Sequence, residues 1–356
     1  MDVCEASAGR LRFALARGEV SAVEVLEAML DRADRLCRPL NPFAVRRDAR
    51  ARAAAARADD ALAHGTAGPL CGLPVTIKDS QYLAGVTAAS ASRALQNFVR
   101  AKASAAVERV EAAGAVIFAK TTTPEFCYFG ITESPVNGRT SNPWNLERTP
   151  GGSSGGAGAL VAAGVGPLAL GGDGGGSLRI PAAFCGVVGF KPTFGLVPRA
   201  PCAVGWKTLV SYGPLARSVT DARLMLRALA GWHPRDRHSF GVDGLDTPVA
   251  DPRALRVVAS EDLGLAPVDD DVRRAFRAVV ARLDAAGARV IEDAPGLDSS
   301  VAAWSTIATA EARHSEAEQF EHHHAVLGEA AAEAIERLAD FSARPTEPHF
   351  LEQRPC

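Results

Sequence analysis

The sequence predicts an α/β fold, a single domain whose central mixed β-sheet is covered by helices on both faces. Helical and strand-type segments alternate along the chain, and glycines separate many of them, as in residues 102–113, Gly114 and residues 115–119. With 356 residues and a hydrophobic content of 47%, the chain is long enough to bury a sizeable core. Such alternation is typical of a largely parallel or mixed sheet covered by helices.

We expect one domain over residues 1–356, in four parts. Residues 1–65 predict an N-terminal helical cover, because Ser21 precedes apolar positions at helical spacing and Gly65 ends a second helix. Residues 66–232 form the core that carries the candidate chemistry. Residues 233–341 continue the αβ pattern, with strands at 256–259 and 289–291 and helices at 269–286, 301–327 and 329–341, and residues 342–356 are an unmatched tail.

Charge and composition argue against several classes of function. The 39 Lys and Arg residues nearly balance the 41 Asp and Glu residues, so no strong field favours nucleic acid or an anionic membrane. No apolar run approaches the roughly 20 residues that span a bilayer, and the N-terminus lacks the pattern of a signal peptide. The seven cysteines are scattered without C-x-x-C spacing. We therefore predict reduced thiols and a cytoplasmic protein.

Glycine is concentrated between Gly151 and Gly176, around an apolar stretch at 159–170. Linkers are polar and lack such stretches, so these glycines indicate a folded site that the backbone must approach closely. A P-loop needs a Gly-Lys-Ser/Thr ending and a dinucleotide site needs G-x-G-x-x-G, and neither is complete here. Residues 151–155 match the G-x-S-x-G spacing of a nucleophile elbow, although the preceding residues 145–150 are polar where an apolar strand is expected.

Two serines, Ser153 and Ser177, lie in these glycine turns with no histidine nearby in the sequence. A serine hydroxyl needs a base to act as a nucleophile. Lys78 follows an apolar strand at 73–77 and can serve as that base if burial keeps it neutral. The histidines at 322–324 are adjacent, so on a helix they point about 100° apart and do not bind one metal ion together. We expect no metal site.

Five ordered motifs across this region resemble the amidase signature family. The similarity runs from about residue 21 to residue 231, and less sharply to residue 341. The motifs are GLPVTIKD at 72–79, NPW at 142–144, PGGSSGG at 150–156, DGGGSLRIPA at 173–182 and CGVVGFKPT at 185–193.

The resemblance implies a Ser–cisSer–Lys triad. Ser177 would be the acylated nucleophile, Ser153 would follow a cis peptide bond and relay protons, and Lys78 would be the base. The resemblance also implies oxyanion-hole N–H groups, residues that support the two turns, and a residue of the substrate pocket. These are Gly174, Gly175 and Gly176 for the oxyanion hole, Ser154, Asp173 and Arg179 for support, and Cys127 for the pocket.

The implied function is that of an amidase, which hydrolyses a non-peptide carboxamide to a carboxylate and ammonia or an amine through an acyl-enzyme. It implies no cofactor, a small-molecule amide as the substrate, and no nucleic acid or membrane as a partner, and it leaves a homodimer open. Two alternatives remain. One is a glutamine-dependent amidotransferase A-type subunit, which typically carries Gln where Ile180 stands. The other is a catalytically impaired homologue that acts at most as a binding protein.

Three features differ from the family pattern. Gly172 stands where Thr or Ser is usual, and Gly174 stands where Ile or Thr is usual. The family fold also continues well beyond residue 341. We therefore expect the fold to be short at its C-terminus.

Overall fold

The structure is a computed structural model that describes residues 2–201 and 206–332, with gaps at 246, 249, 266, 295, 297–299, 324–325 and 330. The described residues form two units. One contains the residues up to Val242 and those from Ala308 onward, and the other contains Asp243–Ile307. Most of the helix predicted at 329–341, and the whole tail at 342–356, lie outside the described residues.

The helix after Ser21 begins where the sequence predicts an N-cap. The side chain of Ser21 accepts the N–H of Glu24, and the carboxylate of Glu24 accepts the N–H of Ser21, which completes a capping box. A later helix begins after Ser218, whose side chain accepts the N–H of Asp221. The described α-helices are α1 (Ala8–Ala16), α2 (Ala22–Leu40), α3 (Asp48–Ala63), α4 (Ala105–Ala112), α5 (Gly155–Ala162), α6 (Arg179–Cys185), α7 (Val219–Leu229), α8 (Asp270–Ala285) and α9 (Val301–His323).

The strands belong to one large sheet and two small ones. They are β1 (Phe43–Arg46), β2 (Pro74–Lys78), β3 (Val116–Thr121), β4 (Glu133–Ser134), β5 (Gly138–Arg139), β6 (Leu168–Asp173), β7 (Val188–Gly189), β8 (Ser211–Ala216), β9 (Arg256–Ala259) and β10 (Arg289–Glu292). Among the described residues, six strands form the large sheet in the order β1-β3-β2-β6-β8-β7. β2 runs parallel to β3 and β6, whereas β1, β8 and β7 pair antiparallel to their neighbours.

Helices flank this mixed sheet, which confirms the predicted fold class. α2 packs against β2, α3 against β3, and α7 against β6, β7 and β8. The buried helix α5 contacts β2, β3, β6 and β8. The presence of β1 differs from the expectation of an all-helical segment at 1–65. β1 has only four residues, of which three are apolar, and this run is too short to predict a strand from the sequence.

The parallel part of the sheet places three strand ends at one edge. Lys78 at the end of β2 lies opposite Thr121 at the end of β3, and Asp173 ends the neighbouring β6. Residues beyond the carboxyl ends of parallel strands are where α/β folds build their sites. This edge therefore brings chemistry-bearing residues together from segments far apart in the sequence.

The second unit contains β9, α8 and β10. β9 and β10 are parallel, with Val257 opposite Val290, and α8 connects them in the chain. Both strands and the helix lie close to the predicted positions. No helix in the part of the chain that the structure describes combines the length and the apolar character of a membrane span.

Candidate active site

Lys78 is buried at the end of β2, with only 2% of its surface exposed. Its Nζ lies 2.6 Å from the Oγ of Ser153, to which it donates a hydrogen bond. Burial lowers the pKa of Lys78 below its ordinary value, while Cys127 and Asp173 act in the opposite direction. A lysine whose ammonium form is disfavoured in this way can accept a proton from the hydroxyl beside it.

Ser153 lies in the turn before α5, directly after a cis peptide bond between Gly152 and Ser153. The side chain of Thr132 donates a hydrogen bond to the carbonyl oxygen of Gly151 at 2.8 Å. A Cβ atom at Gly152 would lie 2.5 Å from the carbonyl oxygen of Ile131, so only glycine fits here. Neighbouring backbone thus fixes the position of the serine.

Ser177 lies in a second turn, between β6 and α6, and is 8% exposed. The carboxylate of Asp173 shapes this turn. It accepts the N–H of Gly176 at 2.7 Å and that of Leu178 at 3.1 Å, and the guanidinium of Arg179 binds both of its oxygens at 2.9 Å. Burial alone would raise the pKa of Asp173, but these hydrogen bonds outweigh it and lower that pKa below its usual value. Asp173 is therefore a buried carboxylate that holds the turn in its ionised form.

Ser154 joins the two serine turns. Its N–H donates to the carbonyl oxygen of Ser177 at 3.2 Å, and its hydroxyl donates to the carbonyl oxygen of Gly172 at 3.3 Å. The helices that follow the two turns also pack closely, since a Cβ at Gly158 in α5 would lie 3.1 Å from Pro181 in α6. The structure thus brings Ser153 and Ser177 to one place although 24 positions (177 − 153) separate them in the sequence.

The glycines before Ser177 differ in what their N–H groups do. The φ of Gly176 is 118°, a value that favours glycine. The N–H of Gly176 donates a hydrogen bond to the carboxylate of Asp173. It therefore does not offer the oxyanion donor that the sequence predicts for it. Within the described residues, the N–H groups of Gly175 and Ser177 have no hydrogen-bond partner. These two are the donors that the turn presents, and the predicted donor role of Gly174 stays a prediction.

Cys127 lies in a loop at the end of β3, as a half-buried residue with a positive φ of 65°. Its sulfur is 3.2 Å from the hydroxyl of Thr123. Cys127 also lies close enough to Lys78 to act on the pKa of that amine, so the predicted pocket residue is near the predicted base. The thiol of Cys185, by contrast, is fully buried in α6, and burial raises its pKa to about 12.

A second buried lysine at this edge was not predicted. Lys120, near the end of β3, forms an ion pair with Asp79 at 2.8 Å and donates to the carbonyl oxygens of Asp79 and Thr87 at 2.9 and 2.7 Å. The other carboxylate oxygen of Asp79 accepts the N–H of Ala91 at 3.3 Å. This network ties the loop after Lys78 to the sheet. Its only signal in the sequence is a lysine at the end of an apolar strand, the same signal that Lys78 gives.

Within the residues that the structure covers, no group of three or more His, Cys, Asp or Glu side chains is arranged to hold a metal ion. One of the three predicted non-ligating histidines, His324, lies outside the described residues. The side chains that converge on this edge are hydroxyls, amines, a thiol and two carboxylates that are already engaged, Asp173 by Arg179 and Asp79 by Lys120. Such a set can move protons and form an ester with a serine.

Comparison with known proteins agrees with this chemistry. The sequence profile of the Amidase family matches residues 24–353. The A-type subunit of a glutamyl-tRNA(Gln) amidotransferase from Roseiflexus castenholzii is 41% identical over 302 residues, covering 84% of this chain and 62% of that protein. The protein of the same name from Thermosynechococcus vestitus is 43% identical over 283 residues, covering 78% of this chain and 58% of that protein. The chain thus spans about three fifths of the length of these curated relatives.

Solved structures show the same similarity. A structure from a vestigial protein complex, described as revealing the evolutionary origins of an s-triazine catabolic enzyme, has a TM-score of 0.88 and 29% identity, covering 96% of this chain and 74% of its own. A bacterial aryl acylamidase belonging to the amidase signature enzymes has a TM-score of 0.86 and 27% identity, covering 95% of this chain and 73% of its own.

Proposed function

The chain belongs to the Amidase family, and from that premise we propose that it hydrolyses a carboxamide to a carboxylate and ammonia or an amine. One observation carries the proposal. The buried Lys78 has a lowered pKa and lies 2.6 Å from Ser153, whose turn is bonded directly to that of Ser177. This arrangement supplies a base, a relay and a nucleophile without a histidine.

The steps follow from the roles of these three residues. Neutral Lys78 takes a proton from Ser153 while Ser153 takes the proton of Ser177, whose Oγ bonds to the carbonyl carbon. The N–H groups of Gly175 and Ser177 stabilise the oxyanion that forms. The proton returns through Ser153 to the amide nitrogen, the C–N bond breaks, and an ester remains on Ser177. Water repeats the sequence and releases the acid, and no step calls for a cofactor.

A second candidate is favoured by the names of the curated relatives, which are amidotransferase A-type subunits. Such a protein would use the same acyl-enzyme to release ammonia from glutamine. The residue at the position where those subunits typically carry Gln is Ile180. Its side chain packs on both serine turns, within 3.0 Å of a Cβ built at Gly151 and 2.8 Å of one built at Gly176. An apolar side chain between the turns supports the amidase interpretation, because it offers no hydrogen bond to a glutamine substrate.

The cysteines that the structure describes support the predicted cytoplasmic location, since all of them are free thiols. They are Cys4, Cys37, Cys71, Cys127 and Cys185.

Labelling with a fluorophosphonate probe tests the proposal, and the labelled residue is located by mass spectrometry. We expect a label on Ser177 that is lost in Lys78→Ala and kept in Lys102→Ala, a matched change of an exposed lysine. A label on Ser153 instead would show that the roles of the serines are wrong. A cooperatively melting protein that takes no label would favour the binding-protein alternative. Ammonia release from glutamine but not from simple amides would favour the amidotransferase alternative.

A further inference from the structure

Two aromatic rings are stacked next to the candidate active site. The rings of Tyr128 and Trp206 have centroids 5.8 Å apart and an angle of 24° between their planes. Both side chains are half-buried and so keep part of their surface accessible. Neither residue belongs to one of the five sequence motifs, and the chemistry of the triad makes no use of them. We call these two residues the aromatic wall.

The aromatic wall extends from the base to the nucleophile turn. At one end, Tyr128 follows Cys127, which lies close enough to Lys78 to act on the pKa of that amine. At the other end, the indole of Trp206 covers Gly174, where a Cβ atom would lie 2.5 Å from its Cε3. A group attached to a carbonyl at Ser177 would therefore have this aromatic surface close to it.

Contacts with other residues fix the position of Tyr128 in the aromatic wall. The hydroxyl of Tyr128 donates a hydrogen bond to the carboxylate of Glu316 in α9. Burial raises the pKa of Tyr128 well above its ordinary value, and the charge of Glu316 adds to this effect, so the hydroxyl remains a neutral donor. On the other side, Phe126 lies 5.9 Å from the Tyr128 ring, and Leu327 packs in the same cluster. A preformed aromatic surface costs little entropy when a ligand binds to it.

We propose that the substrate amide carries an aryl group, which packs on the aromatic wall. This inference rests on the proposed amidase function and deepens it. Aromatic groups gain from offset or edge-to-face contact with other rings beyond the effect of buried area, whereas saturated rings of the same size do not. Trp206 is then the residue that determines specificity, and Tyr128 orients it. The aryl group can lie on the acyl side or on the leaving amine, and the substrates below distinguish the two.

The test compares aryl and saturated amides of equal size. Benzamide and cyclohexanecarboxamide probe the acyl side, and acetanilide and N-cyclohexylacetamide probe the leaving-group side. The aryl and cyclohexyl members of each pair already differ in intrinsic reactivity, so the wall is measured by the change in their kcat/KM ratio when the wall is altered. Trp206→Leu is expected to lower the aryl-to-cyclohexyl ratio of one pair by roughly 3- to 10-fold and to change the cyclohexyl substrate little. Trp206→Phe should retain most of the ratio. Trp232→Leu, a change of a tryptophan that is 63% exposed, is the matched control and should leave the ratio intact.

Two further results would decide the inference. An aryl-to-cyclohexyl ratio of kcat/KM that Trp206→Leu leaves unchanged in both pairs would overturn it. Calorimetric binding of benzoate and cyclohexanecarboxylate, or of the neutral pair phenol and cyclohexanol, keeps the test independent of turnover and of the folding of any variant. If the protein hydrolyses none of the amides, the proposed function fails. Tighter binding of the aryl member by the unaltered protein would then still support the aryl site, and equal binding would reject it.

Discussion

Replacing Asp173 with Asn tests whether this carboxylate holds the turn that carries Ser177. Each of its oxygens accepts a backbone N–H and a guanidinium N–H, at 2.7 to 3.1 Å. In Asp173→Asn one of the two oxygens becomes an NH₂ group. Whichever way the amide is oriented, one backbone N–H and one guanidinium N–H then face a donor instead of an acceptor. A buried donor without an acceptor costs about 1–3 kcal/mol. The side chain of Arg179 is 57% exposed, so water can hydrogen-bond the guanidinium group when the carboxylate is lost, and the guanidinium adds little to this cost. We expect a loss of about 2–4 kcal/mol in the free energy of unfolding.

Urea denaturation at neutral pH measures this loss, and the rate of fluorophosphonate labelling reports the geometry of Ser177. Asp34→Asn, at a surface ion pair with Arg46, is the matched control and should change neither quantity appreciably. Because the pKa of Asp173 is lowered in the folded state, its stabilisation is present above the carboxyl's ordinary pKa and is lost as pH falls through the lowered value. The difference between the two proteins should therefore shrink in acid. A loss below about 0.5 kcal/mol, or unchanged labelling in a destabilised variant, would refute the reasoning.

Three other substitutions give sharp expectations. Cys127→Ala removes an interaction that raises the pKa of Lys78, so the acidic limb of the pH–activity profile, where this base becomes protonated, should move to lower pH. Lys120→Met leaves the carboxylate of Asp79 buried without its cation, and urea denaturation should show a loss of about 3–5 kcal/mol. Gly152→Ala places a Cβ 2.5 Å from a backbone carbonyl oxygen, so calorimetry should show a lower melting temperature, equivalent to about 1–3 kcal/mol, together with slower labelling of the nucleophile.

Each of these changes has a control. Cys71→Ala removes a buried thiol that is not in contact with the base and should leave the pH profile in place. Lys102→Met alters an exposed lysine and should leave the urea midpoint unchanged. Gly241→Ala meets no atom within 4 Å and should leave melting unaffected. An unshifted acidic limb in Cys127→Ala would argue against the contact with Lys78. An unchanged free energy of unfolding in Lys120→Met would show that the ion pair with Asp79 does not stabilise the fold.

Local signals in the sequence account for much of the fold. Ser21 and Glu24 are a capping box in the chain as written, and the structure forms it. The strand before Lys78 and the turns at Ser153 and Ser177 are likewise local patterns, because short apolar runs and glycines determine them within a few residues. The arrangement of these turns around Lys78 came from the family resemblance, and the structure places all three residues at one sheet edge.

The remaining features depend on contacts between distant segments. Lys120 shows the same local pattern as Lys78, a lysine at the end of an apolar strand, and only the structure shows that Lys120 pairs with Asp79 whereas Lys78 faces Ser153. Trp206 lies in a stretch without periodicity, and the turn it covers is more than 25 positions away, at Gly174. In the sequence the N–H of Gly176 resembles those of its neighbours, and only the structure shows that it donates to the carboxylate of Asp173. Side-chain direction, rather than residue type, determines these outcomes.

The contacts of Asp79 show one way in which such a site could lose its activity. Asp79 follows Lys78 directly, yet its two oxygens are taken up by Lys120 and by the N–H of Ala91. Burial lowers the pKa of both amines at this sheet edge, but Lys120 has a carboxylate partner in Asp79, whereas Lys78 faces the hydroxyl of Ser153. An acid acquired next to Lys78, at Cys127 for example, would hold that amine as an ammonium and leave all three catalytic residues in place. Inactivity can thus arise here by gaining a charge, and a check for the intact triad would not detect it.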